Sequence, residues 1–100
     1  MSTYLLLTTL SPQGIQTLQV VPERLFEVNR EIEALGITVV DQWALLGPYD
    51  FLSIVEAPDD TAIARLSADL ASRGSAHVDV LRALPVDNYI SSLVEDDTAS

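Results

Sequence analysis

Residues 3–10 are apolar in both parities. Tyr4, Leu6, Thr8 and Leu10 share one face of an extended chain, and Leu5, Leu7 and Thr9 share the other. Side chains alternate along a strand, so this pattern predicts a central strand covered on both sides. Residues 11–21 are less regular: Ser11-Pro12-Gln13-Gly14 is turn-like, and Ile15, Leu18 and Val21 follow at three-residue spacing. That reads as a short helical turn or a compact loop. Pro22 then sits where a helix can begin, Leu25, Val28, Ile32 and Leu35 form one helical stripe, and Gly36 ends it.

Two β-branched apolar runs follow, residues 37–46 and 51–57, joined by Gly47-Pro48-Tyr49-Asp50. Proline and glycine supply a tight turn, so the runs predict an antiparallel hairpin. In the first run, Val39, Asp41, Trp43 and Leu45 form one alternating set and Val40, Gln42, Ala44 and Leu46 the other, and either set fits the core. Pro58-Asp59-Asp60 opens a second helix with the stripe Ile63, Leu66 and Leu70, which stops at Arg73-Gly74. Residues 75–84 make a fourth strand, with Val78 and Val80 opposed to His77, Asp79 and Leu81.

The order βαββαβ is the ferredoxin-like split arrangement of the α+β class. Right-handed crossovers put both helices on one face of a four-stranded antiparallel sheet. Residues 1–85 read as this domain and residues 86–100 as an acidic, partly disordered tail, whose middle, residues 89–94, suits a short helix or an added strand. The face left open is expected to carry Tyr4, Leu6, Thr8 and Leu10, then Phe51, Ser53 and Val55, then His77, Asp79 and Leu81. Such a surface exceeds the apolar patch a monomer usually exposes. A second copy related by a two-fold axis covers it most simply, which predicts a homodimer with Thr8, Ser53, His77 and Asp79 lining a cavity between two sheets.

Composition narrows the partners. The 100 residues hold 15 Asp and Glu against five basic side chains, a formal net charge of -10. All the basic residues are arginine: Arg24, Arg30, Arg65, Arg73 and Arg82. A surface so negative repels phosphate backbones and anionic lipids, which argues against nucleic acid and membrane as partners. Cysteine is absent, so thiolate chemistry and disulfides are excluded. The first residues lack the basic, then long apolar, pattern of a leader, and the expected location is cytoplasmic. A single histidine without cysteine makes a zinc site a poor fit, and no cofactor is expected.

The segment Leu46-Gly47-Pro48-Tyr49-Asp50-Phe51, followed by Ile54-Val55-Glu56-Ala57-Pro58-Asp59-Asp60, resembles the GYD-domain family, named for its Gly-x-Tyr-Asp signature. Gln13-Gly14-Ile15 and Pro22-Glu23-Arg24 are similar to its N-terminal half, and the likeness covers residues 3–84. The resemblance implies a dimeric α/β barrel, in which ferredoxin-like protomers pair through their sheets. The family brings no catalytic residue with it. Its wider superfamily spans small monooxygenases, haem-handling enzymes and ligand-binding regulatory domains, a fold-level analogy only.

Each candidate residue has a plain structural role beside a functional one. Asp50 suits bracing the turn and Tyr49 packing over it; the functional reading has both rimming a ligand pocket with Thr8, Ser53 and Trp43. His77 and Asp79 share a strand face, the parity needed for a base and its orienting carboxylate, but an exposed or interface histidine with an ordinary hydrogen bond is the plainer explanation. Two functions follow. One is a small homo-oligomeric binding or interaction protein with a pocket for a small molecule. The alternative is a cofactor-poor monooxygenase- or isomerase-like enzyme using His77 in the dimer cavity. The acidic tail is a third candidate, as a docking peptide.

Overall fold

The computed structural model describes residues 1–99, with side chains through residue 94. Its elements in chain order are β1 (Ser2–Leu10), α1 (Pro12–Val20), α2 (Arg24–Ala34), β2 (Thr38–Ala44), β3 (Phe51–Ala57), α3 (Asp60–Ser72), β4 (Ala76–Ala83) and α4 (Val86–Ala99). The four strands form one antiparallel sheet in the order β2-β3-β1-β4. This is α+β architecture consistent with a ferredoxin-like fold, with α1 and α4 added to the expected pair of helices.

The ambiguous segment after β1 is a full helix. Ser11 caps it by accepting from the Gly14 N–H at 3.1 Å, and Pro12 occupies the first turn, where a missing N–H costs nothing. The Ser11 N–H also donates to the Ser75 carbonyl at 2.9 Å, tying α1 to the start of β4. Gly14 is buried against that carbonyl; a Cβ there would lie 2.2 Å from the Ser75 oxygen, so only glycine fits. The start of α3 is fixed in the same manner, with Asp59 accepting from the Ala62 N–H at 2.9 Å.

The core corrects the expected assignment of faces. Tyr4, Leu6, Val55, Ala57 and Val78 are buried together with Ile32 of α2 and Ile63 and Leu66 of α3. The Tyr4, Leu6, Thr8 set of β1 and the Phe51, Ser53, Val55 set of β3 therefore lie under the helices and not on the open side. Register explains the choice: Leu6 pairs with Ser53 and Val80, and Thr8 with Phe51 and Val78, so the helix-facing valines of β4 carry that whole set inward. Tyr4 adds a specific anchor. Its hydroxyl donates to the carboxylate of Asp60 in the first turn of α3, which holds the phenol above its usual pKa.

The open face is the other parity: Leu5 and Leu7 of β1, Leu52 and Ile54 of β3, Trp43 of β2 and Leu81 of β4, with His77 and Asp79 at one edge. The four β1 and β3 side chains are half-buried by their neighbours, while Trp43 and Leu81 are exposed. In β2 a register shift lies between Val39 and Asp41. Val40 is the extra residue, so Val39 and Gln42 point to the helices while Asp41 and Trp43 point away. Neither alternating set read from the sequence survives intact, because a bulge breaks the period of two.

The tail segment at residues 89–94 is helical, within α4 (Val86–Ala99). The expected disorder at residues 95–100 includes Ser100, which lies outside the described residues. Among the described residues α4 makes no extensive contact with the sheet or the other helices, and Tyr89, Ile90 and Leu93 remain exposed.

Candidate functional site

The signature turn is built as a clamp. The Asp50 carboxylate accepts from the Leu10 N–H at 2.7 Å, and its own N–H donates to the Thr8 carbonyl at 2.8 Å. Its carbonyl accepts from the Leu45 N–H at 2.9 Å. One residue thus joins the β2–β3 hairpin to the end of β1, satisfying backbone groups that pairing leaves over at the strand ends. This geometry gives Asp50 the bracing role. Tyr49 lies instead toward β4, where the neighbouring Asp79 carboxylate raises the phenol pKa.

Asp79 in turn lies 3.0 Å from His77 Nε2. Tyr49, Asp79 and His77 therefore lie together on the open face, with one hydrogen bond, between His77 and Asp79, among them. The His77 side chain is 72% exposed, so in the single chain water competes for its hydrogen bond. Trp43 stands on the same face but on the opposite edge strand. Among the described residues no group of three or more His, Asp or Glu side chains is placed to hold a metal ion.

Thr8 and Ser53 do not join this set, as the face assignment above requires. The expected pocket thus divides: His77, Asp79, Tyr49 and Trp43 belong to the open face, and Thr8 and Ser53 to the space beneath the helices. There they line a cavity of about 350 Å3 between the sheet, α1, α2 and the end of α3. Its wall includes a polar trio. Asn29 Nδ2 donates to Gln42 Oε1 at 2.8 Å, and Gln42 Nε2 donates to Asn29 Oδ1 at 3.2 Å and to Ser53 Oγ at 3.0 Å. Arg24 and Arg73 also line it. Sequence periodicity missed Asn29 and Gln42. The first lies beside the apolar stripe of α2, and the second turns inward only because of the bulge at Val40.

Comparison with known proteins places these features in a family. A family model described as the GYD domain matches residues 4–93, farther than the motif-based likeness and well into α4. A protein of Thermus thermophilus named "Glutamine synthetase and cystathionine beta-lyase binding protein" is 48% identical over 94 residues, covering 93% of this chain and 99% of that protein. In fold, the chain resembles the crystal structure of another Thermus thermophilus protein, TTHA0845, with a TM-score of 0.56 at 20% identity, covering 85% of this chain and 95% of that one. No helix among the described residues is long and apolar enough to cross a membrane.

Proposed function

The chain belongs to the GYD domain family, and on that premise we propose that it is a small, self-associating binding protein whose partners are other enzymes. The observation that carries this reading is the 48% identity, over nearly the full length of both chains, to a relative named for binding glutamine synthetase and cystathionine beta-lyase. The physical features agree with such a role. The chain has an uncovered apolar sheet face and a helix, α4, whose Tyr89, Ile90 and Leu93 are exposed. A cytoplasmic location belongs to the same reading.

The test uses glutamine synthetase and cystathionine beta-lyase purified from this protein's own host, each passed over the immobilised chain. Saturable binding to at least one is expected, weakened at least tenfold (about 1.4 kcal/mol) by reversing the character of α4 with Ile90→Glu and Leu93→Glu. Absence of binding to both enzymes overturns the proposal.

A second reading, catalysis without a cofactor, is favoured by one observation: His77 is hydrogen-bonded to Asp79, with Tyr49 beside that carboxylate, on the face that dimerisation would enclose. In that enclosure His77 would act as the base and Asp79 would orient it. Small-molecule turnover that survives His77→Ala unchanged removes this reading.

A further inference from the structure

The cavity beneath the helices has a composition at odds with the rest of the molecule. The chain carries 15 acidic side chains and five arginines, yet the cavity wall includes two of those arginines, Arg24 and Arg73, and, among the described residues, no Asp or Glu. Both guanidiniums are held in place from outside. Arg24 pairs with Glu27 at 2.6 Å and lies 4.0 Å from Glu31, and Arg73 pairs with Glu31. A planar guanidinium presents five N–H donors, so each keeps donors for a ligand after these contacts.

The polar trio, which links α2 to the sheet, has the same bias. Ser53 is buried, and its oxygen accepts from Gln42, which leaves the hydroxyl proton to donate. Asn29 commits one amide hydrogen to Gln42 and retains the other, whereas both Gln42 amide hydrogens are used. The remaining wall is largely apolar, with Leu25 and Val28 of α2 facing Phe51. An apolar chamber of this size with a few convergent donors is the usual form of a small-molecule site.

We propose that this cavity binds a small amphipathic monocarboxylate, its hydrocarbon body against Leu25, Val28 and Phe51 and its carboxylate taken by the donor groups, chiefly Arg24 and Arg73. The site is separate from the open sheet face and does not depend on which enzymes the chain docks to. Charge-assisted bonds from guanidinium to carboxylate are roughly twice as strong as neutral ones, which selects the anion over an alcohol of equal length.

The probes are sodium octanoate, octan-1-ol and octylammonium chloride, each titrated calorimetrically into the full chain. One octanoate per chain is expected to bind, with the alcohol about tenfold weaker and the ammonium showing no saturable binding. The double variant Arg24→Gln, Arg73→Gln, whose side chains lie at the surface, should bind octanoate about tenfold or more weakly. Leu25→Trp should fill the chamber and abolish binding; where that variant fails to fold, the arginine pair decides. No saturable octanoate binding, equal binding of all three probes, or octanoate binding unchanged by the arginine pair overturns the proposal.

Discussion

At the scale of single residues, Asp50 does the most with one side chain. A carboxylate reaching the Leu10 N–H at 2.7 Å, with the same residue's backbone engaged by Thr8 and Leu45, pins three segments to one point. Removing the side chain leaves a partly buried N–H without its acceptor, at a cost of about 1–3 kcal/mol. Asp50→Ala should therefore lower the denaturant midpoint without changing the slope of the unfolding transition. Asp50→Asn, which keeps an acceptor oxygen in place, should recover a large part of the loss. Equal stability of the wild type and the alanine variant in urea would show that the signature aspartate has a role outside the fold. The turn chemistry made this residue visible beforehand, since Gly-Pro-Tyr-Asp between two apolar runs asks for a brace. Its contact across to β1 was not visible, because nothing local in a turn names the strand beside it.

At the scale of elements, strand existence and order were legible and strand facing was not. All four strands and both stripe-bearing helices follow from periodicity, and the hairpin from its turn. In β1 both parities are apolar, so Tyr4 with Leu6 and Leu5 with Leu7 compete as core sets on equal terms. What decides between them is long-range: the pairing of Leu6 with Val80 and of Thr8 with Val78, and the bond from the Tyr4 hydroxyl to Asp60 across the chain. β2 hides its facing for a different reason, since the extra residue at Val40 moves Gln42 inward while leaving Trp43 outward. The candidate site inherited both problems. Thr8 and Ser53 were grouped with His77 and Asp79 through parity alone, and the register puts the sheet itself between the two pairs. The short helix α1 was half-legible. Its cap and proline are plain in Ser11-Pro12, but the burial of Gly14 against Ser75 depends on a contact between residues 61 positions apart.

At the scale of the whole molecule, the single chain is under-buried. It exposes 6760 Å2, whereas a monomer of 10.9 kDa shows about 5,600 Å2. Its radius of gyration is 16.2 Å against about 13 Å for a domain of this length. The excess area, roughly 1,200 Å2, is larger than the ~800 Å2 that each partner contributes to a standard interface. Two apolar surfaces contribute to it: the open sheet face around Leu7, Leu52, Ile54 and Trp43, and the exposed Tyr89, Ile90 and Leu93 of α4. A helix of 14 residues is marginal in water without packing, so α4 itself needs a surface that one copy does not provide. Pairing of two sheets about a two-fold axis would answer both needs, by hiding the apolar face and offering each α4 a surface on the other protomer. The wild-type chain should therefore sediment as a dimer or larger at micromolar concentration. Ile54→Arg, which puts a charge in the centre of the hidden face, should yield a monomer with reduced helicity, since α4 loses its support. Glu33→Arg, on the outer surface of α2, is the matched control and should leave the assembly unchanged. A monomeric wild type, or an Ile54→Arg chain that still sediments as a dimer, would mean that the sheets do not meet, and the enclosure around His77, Asp79 and Tyr49 would be lost with them.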